Sequence, residues 1–218
     1  MTRGTFDPGY GELPRVLPIF PLPGALLLPG GRLPLNIFEP RYLAMIRDAL
    51  SGERLIGMIQ PCEAASDVGA APVYETGCAG RITSFSETDD GRYLITLTGL
   101  IRFLVARELP LLSGYRRIEP DYDPFRRDLE ADPNAIDRDR LLETIGAYFD
   151  ATGIQGDWSA IEKTGDEDLV TSLAMVCPFE GSEKQALLEA KTLPERVETM
   201  TAIMEMAVHE SGGEGARH

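Results

Sequence analysis

LPIFPLPGALLLPGGRLPLNIFEPRY, residues 17–42, carries six prolines: Pro18, Pro21, Pro23, Pro29, Pro34 and Pro40. Such density is common in linkers and in segments that other domains bind. Yet Ile19, Phe20, Leu33, Leu35 and Ile37 stand between the prolines, and Leu33, Leu35 and Ile37 alternate to one side. A free tail has no use for that pattern. The stretch reads as two irregular strands and the turn joining them. Proline removes a ladder hydrogen bond, so such strands belong at edges, where it also limits association between edges. Pro40 suits the first position of a helix, where a missing N–H costs nothing. Tyr42, Leu43, Ile46, Ala49 and Leu50 then share one helical face, with Gly52 expected as a left-handed cap.

Working outward, strand grammar continues to about residue 123. Residues 55–60 (LIGMIQ) and 73–86 form apolar runs, the second interrupted by Gly77 and Gly80. Glycines inside a strand often mark bulges or sharp bends, as when a sheet curls into a barrel. Residues 87–91 (ETDDG) are a hairpin signal. The return strand over 92–98 is expected to break at Gly99, resume over 101–108, and be followed by a last strand over 115–119. Beyond about residue 132 the periodicity is helical. Asp132-Pro133 reads as a cap and first helical position. Thr164 to Glu167, Ser182 to Gln185 and Thr192 to Glu195 each fit a capping box. The fold class is therefore α+β: a curled β-sheet followed by a bundle of about four helices. The expected divisions are a disordered N-terminus over 1–12, a β-rich part over 13–123, a linker over 124–133, helices over 134–210 and a disordered tail over 211–218.

The 218 residues suffice for a sizeable core, and the 43% hydrophobic and 26% charged content is that of a globular protein. The net charge of −14 repels phosphate backbones and anionic membranes, so neither nucleic acid nor membrane is an expected partner. The first residues lack the apolar region of a signal peptide, and no run approaches a membrane span. A cytoplasmic location is expected. Cys62, Cys78 and Cys177 are far apart, without CxxC spacing, and read as free thiols. With His209 and His218 as the only histidines, no metal site and no cofactor is expected.

Catalytic signatures are missing from the sequence. There is no GxxxxGK(S/T) loop, no GxGxxG after a strand and no GxSxG elbow. Ser182 and Lys184 are close in sequence, but Ser182 reads better as a helix cap. The most distinctive polar cluster is Glu39-Pro40-Arg41-Tyr42. Helix-start chemistry accounts for Pro40 and Glu39. The functional alternative has Phe38, Glu39, Arg41 and Tyr42 presenting an edge to a bound peptide.

The order of these pieces resembles the N-terminal substrate-binding domain of Lon-type ATP-dependent proteases. The resemblance rests on the LPIFPLP start, the Pro-Gly turn, the LPLNIFEPRY block and the amphipathic helix after it. It extends through GCAGRITSFSETDDGRYLITLTGLIRFLV, ending in Gly99-Leu-Ile-Arg-Phe103. LAMVCPFEGSEKQALLEA resembles the shorter helical part of standalone members. The resemblance implies a PUA-like pseudo-barrel followed by a helical subdomain. It also implies a non-catalytic role: recognition of unfolded or exposed polypeptide, as an adaptor or in quality control, with polypeptide clients or a protease as partners. Neither an ATPase module nor a serine–lysine protease domain is legible in these residues, so proteolysis is not expected. An exposed strand edge beside the proline-rich stretch suits strand addition by an extended peptide. Other readings are a small-molecule or enzymatic role in a groove between sheet and helices, and RNA binding through the barrel. The only arginine doublets, Arg116-Arg117 and Arg126-Arg127, have acidic neighbours, which disfavours RNA. Oligomeric state is not legible.

Overall fold

The computed structural model describes residues 7–62, 71–130 and 135–214. The chain divides into two compact units, Met1–Ala131 and Asp132–His218.

The first unit is built on six strands among the described residues: β1 (Leu17–Pro21), β2 (Arg32–Ile37), β3 (Leu55–Ile59), β4 (Thr76–Glu87), β5 (Tyr93–Leu112) and β6 (Tyr115–Asp121). The sheet order is β2-β5-β4-β3-β1-β6, and β5 also pairs with β6. That last pairing closes β5, β4, β3, β1 and β6 into a ring. β1 and β3 run parallel, and the other pairs are antiparallel. β2 lies outside the ring and pairs only with the first part of β5, from Arg32 opposite Thr98 to Ile37 opposite Tyr93. The later part of β5, from Leu104 to Leu112, pairs with β6. The ring interior holds Leu17, Ile19, Leu55, Ile59, Ala79, Leu100, Ile101, Phe103 and Ile118, all buried.

β5 does not break at Gly99 as the sequence suggests. It runs on with a bulge: Ala79 faces Ile101 while Gly80 faces Gly99, leaving Leu100 as the extra residue. The glycine is required by close approach. A methyl group at residue 99 would overlap the Leu28 carbonyl. The Gly30 amide donates to the Gly99 carbonyl (3.0 Å), and the Gly99 amide donates to the Gly31 carbonyl (2.9 Å). The turn carrying buried Leu26, Leu27 and Leu28 is thereby fixed against the bend.

Helix α1 (Pro40–Leu50) starts at Pro40 as read from the sequence and buries Tyr42, Met45, Ile46 and Ala49. Fully burying side chains such as Met45 and Ile46 contributes about 1.5–3 kcal/mol each. Its end differs from expectation. Ser51 is the cap, and the positive φ belongs to Arg54 (60°) rather than Gly52. The Arg54 amide closes the turn onto the Ala49 carbonyl (2.9 Å).

Residues expected to be disordered or linker are in part anchored. Tyr10–Glu12 forms a single 3-10 turn, and Tyr10 and Leu13 pack against the ring core. The Tyr10 hydroxyl donates to Asp123, while the Arg126 guanidinium lies 4.1 Å over the Tyr10 ring. A second 3-10 segment, Asp123–Leu129, holds to β5 through a buried ion pair, Arg102 to Asp128 at 2.7 Å. The Arg102 guanidinium also stacks 4.6 Å over Phe125.

The second unit comprises α2 (Arg138–Thr152), α3 (Trp158–Lys163), α4 (Asp166–Val176), α5 (Gly181–Glu189) and α6 (Leu193–Glu214). Its core includes Leu141, Ile145, Tyr148, Leu169, Val170, Leu187, Met200 and Met204. α3 is not among the helices expected from the sequence, and two caps lie elsewhere than expected. The Thr164 hydroxyl donates back to the Ala160 carbonyl (2.7 Å) at the end of α3, leaving Gly165 to cap α4. Glu180, boxed with Glu183, caps α5 in place of Ser182. The box at Thr192 is half met: its hydroxyl accepts from the Glu195 amide (3.3 Å), but the Glu195 carboxylate takes the Lys191 amide (2.8 Å). The expected cap at Asp132-Pro133 lies outside the described residues, and Asp137 caps α2. At the other end α6 continues to Glu214, into the segment expected as a tail, with the Ser211 hydroxyl donating to the Ala207 carbonyl (2.9 Å).

Gly99→Ala tests the bend. Overpacking against backbone should lower stability to chemical denaturation by about 3 kcal/mol. Gly11→Ala, with open space around it, should stay within about 0.5 kcal/mol. Equal small effects would show that the close approach at Gly99 does not matter.

Candidate functional site

All four residues singled out from the sequence, Phe38, Glu39, Arg41 and Tyr42, line one pocket of about 270 Å³. One wall comes from residues 35–37 of β2 and from Phe38 and Glu39, which lead into α1. The other comes from residues 20–23, the end of β1 and its turn. The sequence gives no sign that residues 20–23 face this cluster. That meeting follows from the closed ring, which a linear pattern does not reveal.

The side chains divide the work. Tyr42 is only 7% exposed and packs on Phe20, with ring centroids 4.2 Å apart. Burial pushes its hydroxyl pKa up, with Arg41 opposing the shift. Phe38 is the opposite case, 63% exposed at the strand end. A phenyl ring left that open is not holding the core together. Glu39 is the helix cap residue, but its carboxylate makes no capping bond. It accepts instead from Arg41, at 2.9 Å from Nε and 2.8 Å from Nη2. The Arg41 guanidinium lies 4.5 Å over the Tyr42 ring. Exposed pairs of this kind contribute little to stability, about 0–1 kcal/mol. Their effect here is to neutralise the rim, so that an apolar, proline- and aromatic-lined pocket remains. The volume falls just below the roughly 300–1,000 Å³ usual for small-molecule sites and suits one or two apolar side chains.

Beside the pocket, β2 presents a free edge. With Arg32 opposite Thr98 and the Gly99 amide bonded to Gly31, the Arg32–Thr98 pair is of the non-hydrogen-bonded type. Leu33, Leu35 and Ile37 therefore exchange bonds with β5. Arg32, Pro34 and Asn36 turn their backbone groups outward, and all three residues are exposed. Pro34, which has no N–H to give, occupies an outward position, as its chemistry demands.

The anchoring of α1 fixes this geometry. The β5–β6 turn, with positive φ at Ser113 and Gly114, sets Gly114 close beside the Arg41 side chain. The Tyr115 hydroxyl donates to Asp48 Oδ2 (2.8 Å), joining β6 to α1. In the second unit a pocket of about 300 Å³ between α2 and α6 is lined by residues such as Ile136, Leu141, Pro194 and Val197, with Arg140 and Glu205 3.4 Å apart at its rim. Among the described residues no group of three or more His, Cys, Asp or Glu side chains is placed to hold a metal ion. No described helix is long and apolar enough to cross a membrane.

The chain is similar to known proteins over most of its length. A family model for the ATP-dependent protease La (LON) substrate-binding domain matches residues 16–206. The Lon protease of Anaeromyxobacter dehalogenans is 33% identical over 139 residues, which is 62% of this chain and 16% of that protein. Lon protease 2 of Myxococcus xanthus is 27% identical over 198 residues, 88% of this chain and 24% of that protein. The chain thus spans about a quarter or less of the length of these curated relatives. The Lon N-terminal domain protein of Xanthomonas campestris shares the fold, with a TM-score of 0.61 and 23% identity over 86% of this chain and 97% of that one. The N-terminal domain of the Mycobacterium avium complex Lon protease gives the same TM-score at 15% identity, covering 87% of this chain and 98% of that one.

The Tyr115–Asp48 tie has a pH signature. Burial, and then the hydrogen bond to Asp48, push the Tyr115 hydroxyl up to about 12. In the unfolded chain it ionises near 10. The stabilisation is therefore whole below pH 10 and is lost as pH rises toward 12. Tyr115→Phe should cost about 1 kcal/mol at pH 8. The gap to wild type should narrow between pH 10 and 12 in denaturant titrations. A constant gap would mean that folding leaves the Tyr115 ionisation unchanged.

Proposed function

Because the chain belongs to the LON substrate-binding domain family, we propose that it recognises unfolded or exposed segments of other polypeptides without itself performing catalysis. Its clients are then polypeptides. Its place is the cytoplasm, as an adaptor or quality-control component that works alongside a protease. The observation that carries this reading is the apolar pocket with the open Phe38 ring at its rim, in a chain matched to a substrate-binding domain over 16–206. An unfolded polypeptide differs from a folded one in offering bulky apolar side chains on an accessible backbone, and the pocket suits one such side chain. Phe38, Glu39, Arg41 and Tyr42 form the binding rim and floor. Phe38 provides exposed apolar area, Tyr42 the aromatic floor, and the Arg41–Glu39 pair keeps the rim neutral.

The test is fluorescence anisotropy with labelled, reduced and carboxamidomethylated α-lactalbumin, against the same protein in its native form as control. Binding should be confined to the unfolded form. Phe38→Ser should weaken it about tenfold, the order expected for loss of one buried apolar side chain, with the melting temperature unchanged. Equal binding by the variant would show that the polypeptide does not bind at this pocket. No binding tighter than about millimolar would remove the function.

A further inference from the structure

We propose that the outer edge of β2 receives an extended segment of an unfolded polypeptide as an added strand. One bulky apolar side chain of that segment enters the pocket at residues 20–23 and 35–42, and a carboxylate of the segment lies beside Arg32. This deepens the polypeptide-binding reading and rests on it.

The edge chemistry selects the occupant. Arg32 and Asn36 each direct an amide and a carbonyl outward, and Pro34 directs a carbonyl. Among the described residues none of these outward groups has a hydrogen-bond partner. Their period of two residues is met by another extended backbone and by few other ligands. The edge also leads into the pocket, because Asn36 belongs to both. A strand laid along β2 thus brings a side chain to the pocket at one end. At the other end stands Arg32, exposed and without an ion-pair partner among the described residues. A carboxylate on the bound segment complements it. The reach from Arg32 to Asn36 is about 13 Å at roughly 3.3 Å per residue.

Pro34 decides between an unfolded client and a second copy of this chain. Two β2 edges paired with each other would put two prolines, each without an N–H, into one ladder. The −14 net charge of each copy adds repulsion. A client strand meets only one gap in the ladder, and its side chain in the pocket compensates. The same gap prevents the edge from templating an open-ended sheet.

Amide exchange of the isotopically labelled 218-residue chain by NMR, with and without reduced, carboxamidomethylated α-lactalbumin, tests this. At saturation the Arg32 and Asn36 amides should exchange at least about tenfold more slowly, in line with a hydrogen bond formed at each. The Leu33 and Leu35 amides, already bonded to β5, should be unchanged. Pro34→Ala supplies the missing donor and should tighten binding about fivefold, the net effect of one hydrogen bond. If the reporter binds and neither the Arg32 nor the Asn36 amide slows, the added strand is refuted while the polypeptide-binding reading survives. If the reporter fails to bind at all, both are refuted. Protection of these two amides that grows with protein concentration in the absence of reporter would make a second copy the occupant and overturn the proposal.

Discussion

The β-rich unit depends on the close approach of two backbones at Gly99. There β5 bulges at Leu100 and exchanges two hydrogen bonds with the turn that carries Leu26, Leu27 and Leu28, its Gly99 carbonyl accepting one and its Gly99 amide donating the other. Only a residue without a side chain fits against the Leu28 carbonyl. Before the bend β5 pairs with β2, and after it with β6. One strand thus serves two partners in succession. The ring can close through β6 only because β5 turns away from β2.

The same bend creates the site. Closing the ring without β2 leaves that strand with one satisfied side and one open side. It also sets the end of β1 facing the end of β2, which makes a pocket from residues distant in sequence. Proline serves both purposes. Pro40 starts the helix that carries Arg41 and Tyr42, and Pro34 blunts the open edge at its middle. The rim carries no net charge because Glu39 and Arg41 pair with each other. What the pocket offers is therefore apolar surface, with open backbone groups beside it.

Much of this architecture can be read from the chain, and the unread part has specific causes. The strands around Ile19 and Leu35, the helix start at Pro40 and the Asp90-Gly91 hairpin are local signals, each set by a few neighbouring residues. Gly99 misleads because a break and a bulge carry the same residue; only the partner strand distinguishes them. Thr164 misleads because a hydroxyl can cap the following helix or bond back to the preceding turn, as it does here to Ala160; Ser182 misleads because Glu180, two residues earlier, forms the box with Glu183. Tyr10 and Asp128 look like parts of polar loops, yet they are tied to Asp123 and Arg102 by pairings far apart in sequence. The cluster at Phe38 to Tyr42 stands out in the sequence as polar and aromatic residues around a helix start, and the structure brings its four singled-out members to one pocket. The opposite wall, residues 20–23, does not stand out there, because only the closed ring brings the two together.

On the proposed function, polypeptide recognition resides at the meeting of β1, β2 and α1. Chemical-shift mapping of the full chain during titration with reduced, carboxamidomethylated α-lactalbumin addresses it directly. Perturbations should concentrate on residues 20–23 and 32–42. Perturbations confined to the helical unit, around the α2–α6 pocket from Ala135 to Glu205, would contradict it.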